Sequence, residues 1–282
     1  MRHEYHYIVS GLPDLKPDDR KVDLTLGELK MQLDEQVSGK DLALVNLFFL
    51  PEDHKNILKR LYGLSYHDSV ASVYKAEMID ELIDSARLKR DDTFDIEPYV
   101  VYAVKEFFSQ QQPPRLSLFE ALMNDGWARK VSSCGNAFAI KYISFDTTLR
   151  NVMIALQGRK YNMDVTHSIV GTDDIAEQIR KNRQADFGLK GDWDYIEPAL
   201  QIFSCPDLVE REMRIDALRW TFIDEASFFD YFTIEKIIAT ILKLGMIERW
   251  SSLDTEEGKS RFSEMIRSYK RLTIQDNTIS QL

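Results

Sequence analysis

One pattern occurs twice in this chain, and the repeat constrains the fold more than any single motif does. Lys55-Asn56-Ile57-Leu58 with Leu61 and Gly63 returns as Arg150-Asn151-Val152-Met153 with Leu156 and Gly158. The pattern, [KR]-N-[IV]-[LM]-x-x-L-x-G, moves from position 56 to position 151, a shift of 95 residues. A second pair keeps step with it: Ile96-Glu97-Pro98 and Ile196-Glu197-Pro198, shifted by 100 residues. The order is the same in both copies, and the gaps between the two motifs are 40 and 45 residues. Two matches in register favour duplication over coincidence. The proline suits the first turn of a new helix, where its missing N–H costs nothing. A third, worn copy is Glu235-Lys236-Ile237-Ile238 with Ile241, which keeps the apolar positions but lacks the asparagine and the glycine.

The rest of the chain reads as mainly α. Only 12 Gly and 8 Pro in 282 residues imply few tight turns and long regular elements. Val73, Ala76, Met78, Ile79, Leu82, Ile83 and Ala86 form a helical apolar stripe. Ile234, Ile237, Ile238, Ile241, Leu242 and Leu244 form a broader one. Ser117-x-x-Glu120, just after Pro113-Pro114, predicts a capping box. Asp173-Asp174-Ile175 through Arg180-Lys181 predicts a helix with charges matched to its dipole. The segment Tyr5 to Leu15, broken by Gly11 and Pro13, predicts a short extended stretch, and Gln110 to Pro114 a linker. Three tandem helical lobes follow: residues 1–115 with the N-terminal segment, 116–206 and 207–282, or one compact pseudo-threefold domain.

Composition narrows the function classes. A net charge of −10 and a pI near 5.1 argue against a general nucleic-acid binder, which presents a basic stripe. Cys134 and Cys205 are too few for a disulfide framework, and no signal-peptide pattern opens the chain, so a reducing cytoplasm is the expected home. The longest apolar runs fall far short of the ~20 residues that a membrane span needs. Direct membrane insertion is not expected.

Each chemical motif dissolves on inspection. Gly258-Lys259-Ser260 ends like a phosphate loop, but the first glycine of that loop would fall at Leu253. Asp186-Phe187-Gly188 spells a kinase triplet without its partner motifs, and reads instead as a helix end capped by Gly188. The five histidines and two cysteines have no zinc spacing. His67-Asp68 reads as a solvated pair. Asp18-Asp19, Asp91-Asp92 and Asp173-Asp174 read as helix caps. No catalytic, cofactor or metal residue is predicted. Asn56 and Asn151 are open to two readings, a polar helix face or a repeated hydrogen-bonding position near a shared lobe axis.

Four stretches carry a family resemblance: YHYIVSGLPDL at the start, LRNVMIALQGRKYNMD in the middle, ADFGL after it, and ILKLGMIERWSSLDTEEGKSRF near the end. Over nearly the whole length the chain resembles an uncharacterised bacterial family, a domain of unknown function, whose genes accompany those of V/A-type ATPases. That family is similar in turn to the C-subunit of the archaeal-type ATPase, known as the d-subunit in the eukaryotic V-type enzyme. The resemblance implies a three-lobed helical funnel that sits on the membrane rotor ring and receives the foot of the central stalk. The expected function is therefore non-catalytic coupling of rotor ring to stalk, peripheral to the membrane, with no nucleic acid and no cofactor. Asn56, Asn151 and Arg159, at or beside the repeated helices, are the expected lining or support of the socket. A helical-repeat adaptor of another complex and an unrecognised helical enzyme are the alternatives.

Overall fold

A helix stands near the N-terminus where an extended stretch was expected. The structure, a computed structural model, describes residues 5–19, 22–64 and 69–254. Helix α1 is His6–Gly11, ending at an extended Leu12. The correction has a simple cause. Among the described residues no strand forms, so an extended segment here has no edge to pair with, and local i→i−4 bonds satisfy its backbone instead. The donor just before it is also occupied, since Tyr5 N–H bonds the Phe232 carbonyl at 2.7 Å.

Eleven further α-helices follow among the described residues: α2 Leu26–Gln36, α3 Gly39–Asn46, α4 Leu50–Leu61, α5 Ala76–Arg87, α6 Pro98–Ser109, α7 Leu116–Ser132, α8 Ala137–Tyr161, α9 Asp174–Lys181, α10 Ile196–Phe203, α11 Leu208–Ala226 and α12 Ile234–Asp254. The expected stripes are buried. Ile79, Leu82 and Ile83 face the core from α5, and Ile237, Ile238, Ile241 and Leu244 from α12. Pro98 is the first residue of α6, and Pro198 lies in the first turn of α10. The linker at 110–115 is non-helical, as expected. Asp254 is the last described residue. Gly258-Lys259-Ser260 and His67-Asp68 lie outside the described residues.

Local signals are corrected in two places. Ser117 is not a cap: α7 starts two residues earlier than that cap implies, at Leu116, with Arg115 as its N-cap and no side-chain cap bond. Tyr62 Oη donates to the Pro114 carbonyl at 2.8 Å, and Phe119 packs against the rings of Tyr62 and Phe107. Tertiary packing fixes the helix start and leaves Ser117 exposed. The capping box that exists is Thr25 with Glu28, which bond each other's backbone N–H at 2.8 and 3.1 Å. Of the three acidic pairs, only Asp173 caps a helix, accepting from Ala176 N–H at 2.9 Å. Asp19 instead closes a turn on Lys16 N–H, while Asp91 and Asp92 pair with Lys105 and Arg90.

Helix α8 is the spine of the molecule. Its first half, from Phe138 to Ile143, joins a core built from α1 to α7, Ile223 and α12. Its second half, from Phe145 to Leu156, joins another core with α9, α10, Ile215 of α11 and the loop residues Phe187, Leu189 and Trp193. Phe222 of α11 packs against both cores and stacks on Phe145 with ring centroids 4.1 Å apart. A helix whose two halves bury different faces carries no single apolar stripe over its whole length. It can instead transmit force between two packed bodies, because close-packed interiors yield little.

Candidate interaction site around the long helix

The repeated asparagines do the same structural job in both copies. Asn56 on α4 is buried and donates through Nδ2 to Ser72 Oγ at 2.8 Å, 16 residues downstream. Asn151 on α8 is buried and donates through Nδ2 to the Val170 carbonyl at 2.7 Å, 19 residues downstream. Val170 N–H returns the bond to Asn151 Oδ1 at 2.9 Å. Each asparagine thus ties its helix to the segment that leads into the next one, α5 or α9. The order of elements after each tie is also shared: a short helix, the helix begun by Ile-Glu-Pro, then a longer helix.

Beyond that tie the copies diverge. In the first, the Asp53 carboxylate accepts from Val73 and Tyr74 N–H at 2.9 and 3.1 Å. The position 95 residues on is Thr148, and the corresponding backbone donor, Gly171 N–H, is taken by Asp125 of α7 at 3.2 Å. The glycines differ too. Gly63 has φ +64° and stops α4, with Leu64 N–H bonding the Lys59 carbonyl. Gly158 stays inside α8, and the left-handed stop moves to Asn162 at φ +52°. A Cβ on Gly158 would stand 2.5 Å from a Val165 methyl, so this glycine serves close approach rather than a turn. The third copy is looser still: Lys236 is half-buried on α12, and its carbonyl accepts from Thr240 Oγ1.

Arg159, the third expected site residue, braces a turn. Its guanidinium donates to the Asn182 and Gln184 carbonyls, both at 2.6 Å, and lies 3.7 Å from the centre of the Phe187 ring. Asp186-Phe187-Gly188 is therefore not a helix end. It is a turn beyond α9, with positive φ at Phe187 and Gly188, and Asp186 accepts from Gly188 N–H. Fully buried Phe187 pulls the backbone into this conformation. Asn56 and Asn151 thus act through the segments they hold, whereas Arg159 reaches the surface.

Beside Asn151, helices α7 and α8 open into a cleft of about 590 Å³ lined by Arg115, Asn124, Asp146, Arg150, Gln157 and Asp164, among others. Arg150, the basic residue of the repeat pattern, bonds Asn124 Oδ1 at 3.3 Å. Among the described residues no carboxylate makes an ion pair with it. Asp146, an acid of the same cleft, is committed elsewhere: it accepts from Arg219 Nε at 2.7 Å. Arg219 also reaches Asp216 at 3.1 Å, and Asp216 accepts from Arg249 and, at 2.8 Å, from Trp250 Nε1. This chain, buried at Asp146 and Asp216 and exposed at Arg249, links α8, α11 and α12. Burial pushes the Asp146 carboxyl up, but Arg219 and Arg150 outweigh it and hold the pKa below the usual range. Asp146 stays ionised at neutral pH. It is a structural anion rather than a proton donor.

A cluster of exposed aromatic residues lies elsewhere, on the loop between α11 and α12. Phe228, Phe229 and Tyr231 are 64%, 83% and 63% exposed, and Phe232 is 39% exposed. Neither this loop nor Arg150 is among the expected site residues, although four aromatics in five positions are a readable signal in the sequence. Among the described residues, no group of three or more His, Cys, Asp or Glu is arranged to hold a metal. Nor is any described helix long and apolar enough to cross a membrane.

Fold and site together define an all-helical protein, among its described residues, with an internally braced spine and two exposed features suited to contact. Residues 1–273 match the family described as Protein of unknown function (DUF2764), and the chain belongs to that family. No curated protein and no solved structure matches it.

Proposed function

We propose that this protein couples the membrane rotor ring of a V/A-type ATPase to its central stalk, without catalysing chemistry itself. The reading starts from the resemblance of the family to the C-subunit of that enzyme. The observation that carries it furthest is the pair of buried asparagines, each tying a long helix to the segment 16 or 19 residues on, within one shared order of elements. Such a pair supports descent from a duplicated helical unit. Under this proposal the units form three lobes, 1–115, 116–206 and 207–282, arranged as a funnel on the cytoplasmic side of the membrane.

A torque-bearing part must be stiff and must present two contact faces. The burial of α8 in both cores and the ion-pair chain from Asp146 to Arg249 supply stiffness. In the funnel reading, Arg150 faces the stalk foot from α8, while Arg159, half a turn away around the same helix, supports that wall from behind with Asn56 and Asn151. Arg150, which makes no direct ion pair among the described residues, suits a carboxylate brought by the stalk. The adaptor reading shares the contact faces but not the ATPase.

Co-purification tests the proposal. The tagged protein, recovered from its native cell in a mild detergent that keeps the ring intact, should bring down proteins of both the ring and the stalk. Recovery with neither would leave the adaptor reading in its place.

A further inference from the structure

We infer that the loop from Ser227 to Thr233, between α11 and α12, is the surface by which this protein grips its rotor partner. The partner surface it fits is an apolar protein patch rimmed by lysine or arginine. The inference rests on the coupling function proposed above and adds to it the contact site and its chemistry.

Exposed aromatic area is the first argument. Phe228, Phe229, Tyr231 and Phe232 expose 64%, 83%, 63% and 39% of their surfaces. At ~200 Å² per aromatic side chain this amounts to roughly 500 Å², the scale of the largest apolar patch on an ordinary monomer. His6 of α1 lies against the Phe232 ring with centroids 4.3 Å apart and closes one end of the patch.

The loop is also held in shape. Asp230 N–H bonds the Ser227 carbonyl at 3.0 Å, and Ser227 Oγ donates to the Ile223 carbonyl at 2.7 Å. Tyr5 N–H bonds the Phe232 carbonyl, and the rings of Phe228 and Phe229 meet edge to face at 4.9 Å. Aromatics presented on a fixed backbone lose little entropy on binding, which is how hot-spot residues work.

Charge selects the partner. The loop follows exposed Glu225 and contains Asp230, in a chain of net charge −10, while Asp224 beside them is paired with Lys243 of α12. Two copies meeting through this corner would bring like charges together, and an anionic bilayer would be repelled. A protein surface with a cationic rim would be attracted. Tyr and Phe at the centre with acids around them match the usual anatomy of an interface core and its rim.

The test uses the full tagged chain and quantifies the ring and stalk proteins recovered with it. Phe228→Ser/Phe229→Ser should lower recovery of one rotor component by about tenfold or more, while the melting curve by circular dichroism stays that of the wild type. Phe229→Ala alone, at the most exposed ring, provides the same comparison if the double variant misfolds. Glu225→Gln, which keeps an acceptor for Tyr195, should lower recovery roughly threefold at low salt and less at high salt. If the wild type recovers the rotor and the folded loop variants recover it equally, the docking surface is overturned and the coupling function stands. If the wild type recovers no rotor protein, both fall. Sedimentation of the wild type with neutral phosphatidylcholine vesicles, or a dimer abolished by Phe229→Ala, would assign the loop to a bilayer or a second copy and overturn the inference.

Discussion

One side chain, Asn151, takes both backbone polar groups of Val170: Val170 N–H donates to Oδ1 at 2.9 Å, and Nδ2 donates to the Val170 carbonyl at 2.7 Å. Both residues are buried, so no water replaces these bonds when the asparagine is removed. Asn151→Ala should therefore destabilise the protein by about 2–4 kcal/mol in urea titration. Asn151→Asp should be at least as costly, because it sets a carboxylate oxygen against the Val170 carbonyl.

Two glycines of the repeat, aligned in sequence, should respond differently to the same change. Gly158→Ala drives a Cβ to 2.5 and 3.0 Å from the Val165 methyls and should cost about 1–3 kcal/mol by overpacking. Gly63→Ala meets nothing within 4 Å but must hold φ +64°, a strain of about 1–2 kcal/mol. Adding Val165→Ala should relieve the first variant and leave the second unchanged. Equal behaviour of the two would contradict the divergence of the copies.

Much of the helical pattern was legible in the sequence, because stripes such as Ile79, Leu82 and Ile83 report one buried face whatever lies opposite. The asparagine repeat was legible for a related reason, since a buried polar residue at a fixed helical place needs a fixed partner. What escaped was decided by distant contacts. The start of α7 depends on Tyr62 and Phe119, the helical form of the N-terminal segment on the lack of a strand to pair with, and the turn at Phe187 on Arg159. The ion-pair chain joins residues 73 and 33 positions apart, a relation that no local pattern encodes.

Removing a single member of that chain should be severe. Arg219→Met leaves Asp146 and Asp216 buried without their shared cation, and the expected loss is about 3–5 kcal/mol. The double variant Arg219→Met/Asp146→Leu should recover part of it, which a thermodynamic cycle measures.

Opposed titrations on α4 set the pH dependence. His54, buried and bonded to Tyr99 Oη at 2.8 Å, has its pKa pushed down to about 3 by desolvation, helped by Arg150 and Lys55. The unfolded chain takes up a proton near pH 6.5 that the folded chain refuses, so this group costs stability as pH falls from there toward 3. Asp53 is pushed up to about 7 by desolvation, against the pull of its two backbone N–H bonds. The folded chain binds that proton more readily than the unfolded one, so this group costs stability as pH rises from about 4 to 7. In the wild type the two slopes oppose each other between about pH 4.5 and 6.5, by direct consequence of their signs. His54→Gln, which keeps an acceptor for Tyr99, should expose the Asp53 slope, with the melting temperature falling from about pH 5 to pH 7. A melting temperature that rises over that interval in the variant would refute the Asp53 assignment.

The coupling function is tested most directly by electron cryomicroscopy of the V/A-type ATPase from the same cell, isolated through a tag on a different protein of the complex. The account predicts one copy of this chain on the rotor axis, between the membrane ring and the stalk foot. The Arg150 face of α8 should meet the stalk, and the Phe228–Phe229 loop should be covered by another part of the rotor. A complete rotor in which ring and stalk meet through another protein, with no density for this chain, would contradict it.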